Sequence, residues 1–131
     1  MKYIFLPFIA WVTSGCVKFA INLFRFGMKD AKKLIGYGGF PSTHTTIISS
    51  VVFFIGFEKG FMTSNFSLGL GILLIIIIDA HGLRREVEKH SITLNQLQNK
   101  THLREKMGHT WPEIFGGLLV GLVLSYLAFY I

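Results

Sequence analysis

Apolar residues gather in four runs, at about 3–24, 45–57, 66–80 and 112–131, separated by short polar stretches. The first and last reach the roughly 20 residues that a membrane-crossing helix wants, and the middle two fall short of it. With no water in the hydrocarbon to satisfy backbone groups, all four are predicted as helices. The short pair either borrow polar ends to cross or include a re-entrant segment. After the third run the pattern changes. Leu83, Val87, His90, Leu94 and Leu97 recur at spacings of four, three, four and three. That is one apolar stripe on a helix that continues out of the membrane. The expected fold is all-α: an integral membrane helical bundle of about four short transmembrane or re-entrant helices, with a cytosolic amphipathic helical extension. No internal repeat or low-complexity linker divides the 131 residues, so one domain over 1–131 is expected.

Composition supports the membrane reading, with 51% hydrophobic and 15% charged residues. The net charge of +6 raises the possibility of nucleic acid. The cations form no stripe and no aromatic residues interleave with them, so no nucleic-acid partner is expected. Cys16 stands alone, which leaves neither a disulfide nor a cysteine metal site. Eleven of the 13 Lys and Arg lie at 18–33 or 84–106. With four spans those regions share one side, and the positive-inside rule makes it the cytoplasmic side of a multi-pass cell-membrane protein. Met1-Lys2 before an apolar run also has the look of a secretory signal, and Thr13-Ser14-Gly15-Cys16 that of a poor lipoprotein box. The first run is read as a span.

Polar islands at the ends of the apolar runs carry the candidate chemistry, because charge beside a bilayer core costs several kcal/mol per group, roughly. Lys18 and Arg25 are two helical turns apart, on nearly one face. Snorkelling to the headgroups explains Arg25 well and Lys18 less well, since apolar residues still follow Lys18. The run from Gly36 to His44 is flexible and ends at a helix start, with Ser42 or Thr43 as N-cap after Pro41. It reads either as a capped helix with a surface histidine or as an anion site, formed by free N–H groups and the dipole, with His44 facing the anion. Asp79 to Arg85 closes the third run. Arg84 can pair with Glu88 four residues on, and adjacent arginines point about 100° apart, so one of Arg84 and Arg85 would face a substrate. Gly108 to Glu113 opens the fourth run. Glu113 there either complements the helix dipole or holds one nitrogen of His109 so that the other stays a nucleophile. Gly116, Gly117 and Gly121 favour close helix packing. A metal held by His44, His81, His90, His102 and His109 has no paired-histidine spacing behind it, so neither metal nor cofactor is expected. Two histidines, four cations and a carboxylate suffice to cut a phosphate ester without one.

Together these residues resemble the divergent branch of the type 2 phosphatidic acid phosphatase (PAP2), haloperoxidase-related superfamily. Lys18 and Arg25 keep the spacing of its first block, with Phe26 in place of Pro. Pro41-Ser42-Thr43-His44 matches the second. His109 and Glu113 keep the spacing of the third, with Glu for Asp and the arginine displaced upstream to Arg84 or Arg85. The resemblance implies a membrane-embedded lipid phosphate phosphatase, acting on phosphatidylglycerophosphate, phosphatidate or an isoprenyl phosphate or diphosphate. His109 would attack phosphorus, Glu113 would orient it, and His44 would serve as acid and then base. Lys18, Arg25, Ser42, Thr43 and Arg84 or Arg85 would hold the phosphoryl oxygens, with Asp79 in support. The alternative is a non-catalytic lipid-headgroup-binding or transport protein that retains the anion site. The superfamily core has about six helices and this chain offers four, so a homodimer is expected. The glycines of the fourth run and the Leu83–Leu97 stripe are its candidate surfaces.

Overall fold

The structure, a computed structural model, describes residues 2–33, 39–97 and 103–131. The loop positions 36–38, together with Lys100 and His102, lie outside them. Among the described residues five helices follow one another: α1 (Lys2–Lys33), α2 (Thr43–Lys59), α3 (Ser64–His81), α4 (Leu83–Leu97) and α5 (Trp111–Tyr130). The four apolar runs become α1, α2, α3 and α5, and the striped segment becomes α4. α1 is kinked at Gly27, whose φ of 79° only glycine adopts readily. No strand occurs among the described residues.

Among the described residues three helical stretches are long and apolar enough to cross a membrane: Lys2–Lys29, Ser64–Leu97 and Trp111–Tyr130. α2 is not among them. Its 17 residues reach about 25 Å at 1.5 Å per residue, short of a hydrocarbon core of about 30 Å. It sits instead at the centre of the bundle, packed against α5, α1 and α3. Its side chains suit that place. Thr45, Thr46, Ser49 and Ser50 are all buried, and their small size lets a neighbouring backbone come close. Their hydroxyls are satisfied locally or across the seam: Thr46 donates to the Ser42 carbonyl at 2.9 Å, Ser50 to Ile47 at 2.8 Å and Ser49 to Gly117 at 3.4 Å.

The opposing face of α5 is glycine. A Cβ on Gly117 would lie 2.7 Å from the Ser42 carbonyl oxygen, and one on Gly121 would lie 2.0 Å from Ser49 Oγ. α2 of the same chain therefore already covers the glycine face that the sequence offered as a dimer surface. The α4 stripe behaves differently. Leu83, Val87, Leu94 and Leu97 are all exposed, because α4 turns its polar face inward. There Glu88 accepts the amides of Met107 and Gly108, at 3.3 and 3.0 Å, and Asn95 donates to the Leu103 carbonyl at 2.8 Å. With Glu88 engaged in this way, Arg84 pairs with Asp79 at 2.5 Å rather than with Glu88.

Alternation of direction gives the bundle two unlike ends. At one, the start of α2 meets the middle of α1, where Ser14 Oγ donates to Thr43 Oγ1 at 3.0 Å. The end of α3 and the start of α5 join them there. At the other end Tyr3 of α1 bonds the Glu58 carboxylate and stacks edge-on to Phe54 at 4.9 Å. Phe57 touches Phe61, Tyr126 and Phe129 beside them.

Candidate active site

Local sequence builds each component at the polar end. Ser42 is the N-cap of α2, and its hydroxyl meets both the amide and the hydroxyl of Thr45, at 3.5 and 2.9 Å. That cap starts the helix at Thr43 and sets His44 in its first turn. Thr110 is the N-cap of α5, followed by Trp111 and Pro112. Glu113, three residues on, accepts the Thr110 amide at 3.0 Å. The same carboxylate oxygen lies 3.1 Å from His109 Nδ1. One side chain thus caps the helix and orients the imidazole. The Glu113 carboxylate contacts the helix start and the His109 ring at once, and a carboxylate at N3 is already favoured by the dipole.

Main-chain bonds then join the three blocks. The Ser42 amide donates to the Glu113 carbonyl at 2.8 Å, which fixes the start of α2 to the start of α5. The His109 amide donates to the Ala80 carbonyl at 3.0 Å, which fixes the segment before α5 to the end of α3. His81 Nδ1 lies 3.3 Å from the His109 carbonyl, and its ring packs on Trp111 at 4.5 Å between centroids. His109 ends up 5% exposed, while His44 stays open to solvent.

The charged groups divide into those the fold brings together and those it does not. Arg84, His109, Asp79 and Lys18 all act electrostatically on His44. Protein packed around part of the His44 ring, and then the Arg84 and His109 charges, lower its pKa, with Asp79 opposing. Lys18 is within electrostatic reach of Glu113, Arg104 and Lys106. Lys18, His44, Asp79, Arg84, His109 and Glu113 therefore form one cluster. Arg25 is exposed, two turns beyond Lys18 and just before the Gly27 kink. Arg85 is also exposed and packs its stem over Gly108, where an added Cβ would lie 2.3 Å from Arg85 Cγ. Thr43 faces Ser14, and Ser42 is fully buried with its amide and hydroxyl already bonded inside the protein. Ser42 thus braces the site, and its amide is not open to an anion. Among the described residues no three His, Cys, Asp or Glu side chains gather as metal ligands.

Sequence reasoning named Ser14, His81 and Glu88 but did not find these contacts. Ser14 lies one turn before Lys18, so its polarity on the buried face of α1 was a usable signal. The roles of His81 and Glu88 depend on partners 28 and 20 residues away, which no local pattern reveals.

These features define a helical membrane protein with a buried histidine held by a half-buried carboxylate, and cations clustered around them, at one end of its bundle. The chain belongs to the Divergent PAP2 family, which it matches over residues 1–124. It is similar to an uncharacterized membrane protein of Bacillus subtilis (strain 168), YuiD, with 25% identity over 92% of this chain and 89% of that one. No solved structure matches it.

Proposed function

We propose that the protein is a lipid phosphate phosphatase of the cell membrane that works through a phosphohistidine, without a metal. The observation that carries this reading is the His109–Glu113 contact at 3.1 Å beside an open His44. A carboxylate that accepts the Nδ1 proton leaves the Nε2 lone pair of His109 free to attack phosphorus. Glu113 also stabilises the imidazolium character that develops as the P–N bond forms. Arg84 and Lys18 hold the equatorial oxygens, and such electrostatic positioning is the main work in phosphoryl transfer. His44 protonates the departing lipid alkoxide, then takes a proton from the water that releases phosphate from His109. A neutral resting His44 fits this cycle, because arrival of an anionic phosphate raises its proton affinity and supplies the acid form when it is needed. Of the two arginines, Arg84 is the phosphate ligand in this reading, since it is the one coupled to His44. The cation distribution supports a cytoplasmic position for this end.

The test is acid-labile labelling with a 32P-headgroup lipid, in parallel with phosphate release in excess chelator. Wild type should turn over and form a phosphoenzyme. His109→Gln, which keeps a polar side chain near Glu113, should lose release by at least about a thousand-fold while still inserting and folding. His44→Ala should accumulate the phosphoenzyme. Full release by His109→Gln sinks the mechanism. Headgroup binding without release in wild type would leave an anion-binding protein.

A further inference from the structure

An apolar groove of about 520 Å³ lies between α1, α2 and α3. Its three walls share a property that the helical repeat makes visible. On α2 the wall runs through Ile48, Val51, Ile55 and Lys59. His44 lies four residues before Ile48, one turn further up the same face. On α1 the wall is Tyr3 and Pro7. Steps of three, four and four continue that face through Ala10 and Ser14 to Lys18. On α3 the wall includes Asn65, Gly69 and Ile72. Steps of four and three carry that face through Ile76 to Asp79. Each wall, followed in its own register towards the polar end, arrives at a residue of the candidate active site.

We infer that this groove holds one long hydrocarbon chain of the lipid whose phosphate lies at His44 and His109. The inference rests on the phosphatase reading above and adds where the tail goes. Three arguments favour a tail as the occupant. The faces that line the groove lead in helical register to the site, and apart from its far mouth the lining is apolar. Its stretch from Ile48 to Lys59 is about 16 Å at 1.5 Å per residue, more than half of a hydrocarbon core of about 30 Å, so it has room for most of one tail short of the far mouth. Its floor is closed where α2 meets α3, since a Cβ on Gly69 would lie 3.0 Å from Val52 Cγ2. Its far mouth is polar, with Lys59 and Asn65 on the rim and the Tyr3–Glu58 bond beside them. A fatty acyl chain and a polyprenyl chain share the required chemistry.

The experiment uses the full chain in nanodiscs and two photoreactive lipids, a phosphatidate with a mid-chain diazirine and a polyprenyl phosphate with the same group. Adducts mapped by mass spectrometry should fall on Ile48, Val51 or Ile72, and the lipid that gives them identifies the tail. Adducts scattered over Leu119 and Val123 of α5 would overturn the groove. A kinetic arm compares long-chain with dihexanoyl substrates. Val51→Trp and Ile72→Trp should each lower the long-to-short ratio of kcat/KM by roughly ten- to a hundred-fold, because a displaced tail drags the phosphate out of alignment. Leu119→Trp should leave the ratio unchanged. Equal loss on both chain lengths, or no loss, counts against the groove. Groove adducts with no phosphate release from any substrate would remove the phosphatase reading and leave the tail site standing. Phosphate release with scattered adducts would do the reverse.

Discussion

The two ends of the bundle hold the same helices together by different means. At the polar end the ties are directional: Ser42 to Glu113, His109 to Ala80, Arg84 to Asp79. Each has one geometry, and each crosses between helices. At the aromatic end Phe57 meets Phe61, Tyr126 and Phe129 at centroid distances of 5.7, 6.1 and 6.0 Å, through contacts that tolerate a range of angles. Reaction geometry must be held to fractions of an ångström, and hydrogen bonds supply that precision where ring contacts do not. The aromatic end carries the features of an interfacial belt, amphipathic rings at the level of the headgroups. Stability should therefore rest more on the aromatic end and alignment on the polar end, and substitutions can part them.

The largest effect on alignment should come from Arg84. Arg84→Gln removes a charge that acts on His44 and frees Asp79. Loss of one donor to a developing charge is worth about a hundred- to a thousand-fold in turnover. Arg85→Gln keeps the aliphatic stem that covers Gly108 and should stay within about ten-fold, as befits an exposed cation. Steady-state kinetics on one lipid substrate decide it. A larger loss for Arg85 would assign the displaced family arginine to position 85.

The converse change is Phe57→Ala. In lipid the transfer of apolar surface gives little, so packing contacts carry the stability. Three ring contacts at about 0.5–1.5 kcal/mol each predict a loss of about 2–4 kcal/mol. Steady-state kcat below the melting transition should stay near wild type. Thermal unfolding in detergent measures the first and phosphate release the second. A fall in kcat without a fall in stability would mean that the two ends are coupled through α2.

Much of this was legible in the sequence, and what was hidden has a physical cause. The start of α2 was readable because capping is local: Ser42, one of the two residues offered as its N-cap, follows Pro41 and bonds Thr45. Short α2 was visible as short, but its central position was not. The buried hydroxyls of Thr45, Thr46, Ser49 and Ser50 become informative only once Gly117 and Gly121 are known to face them. The α4 stripe misled in direction. A period of 3.6 shows that one face is apolar and does not say which face the fold covers, and here Glu88 and Asn95 draw the polar face inward. His109 and Glu113 were paired correctly because they are one helical turn apart. Fastening of His109 to Ala80 and His81 was not visible, because main-chain bonds carry no residue signature. Lys18 and Arg25 share a spacing, but the apolar residues after Lys18 already set the two apart, and Arg25 is exposed short of the Gly27 kink as a snorkelling cation would be.

The gentlest way to sharpen the comparison leaves both ends intact and asks which side of the membrane each one faces. Lys59 and Lys106 are exposed and stand at opposite ends. With Cys16→Ser as background, a cysteine at either position should leave the fold intact, since exposed substitutions usually shift stability by no more than about 0.5 kcal/mol. Apart from the catalytic candidates, seven cations remain in the two basic regions of the sequence. By the positive-inside rule those cations favour a cytoplasmic position for the polar end. A membrane-impermeant maleimide on intact cells should therefore label the cysteine at 59 and spare the one at 106 until the membrane is permeabilised. Labelling at 106 in intact cells would place the His109 end outside. The substrate would then be a lipid phosphate presented on the outer leaflet, such as an isoprenyl diphosphate, and the aromatic end would face the cytoplasm.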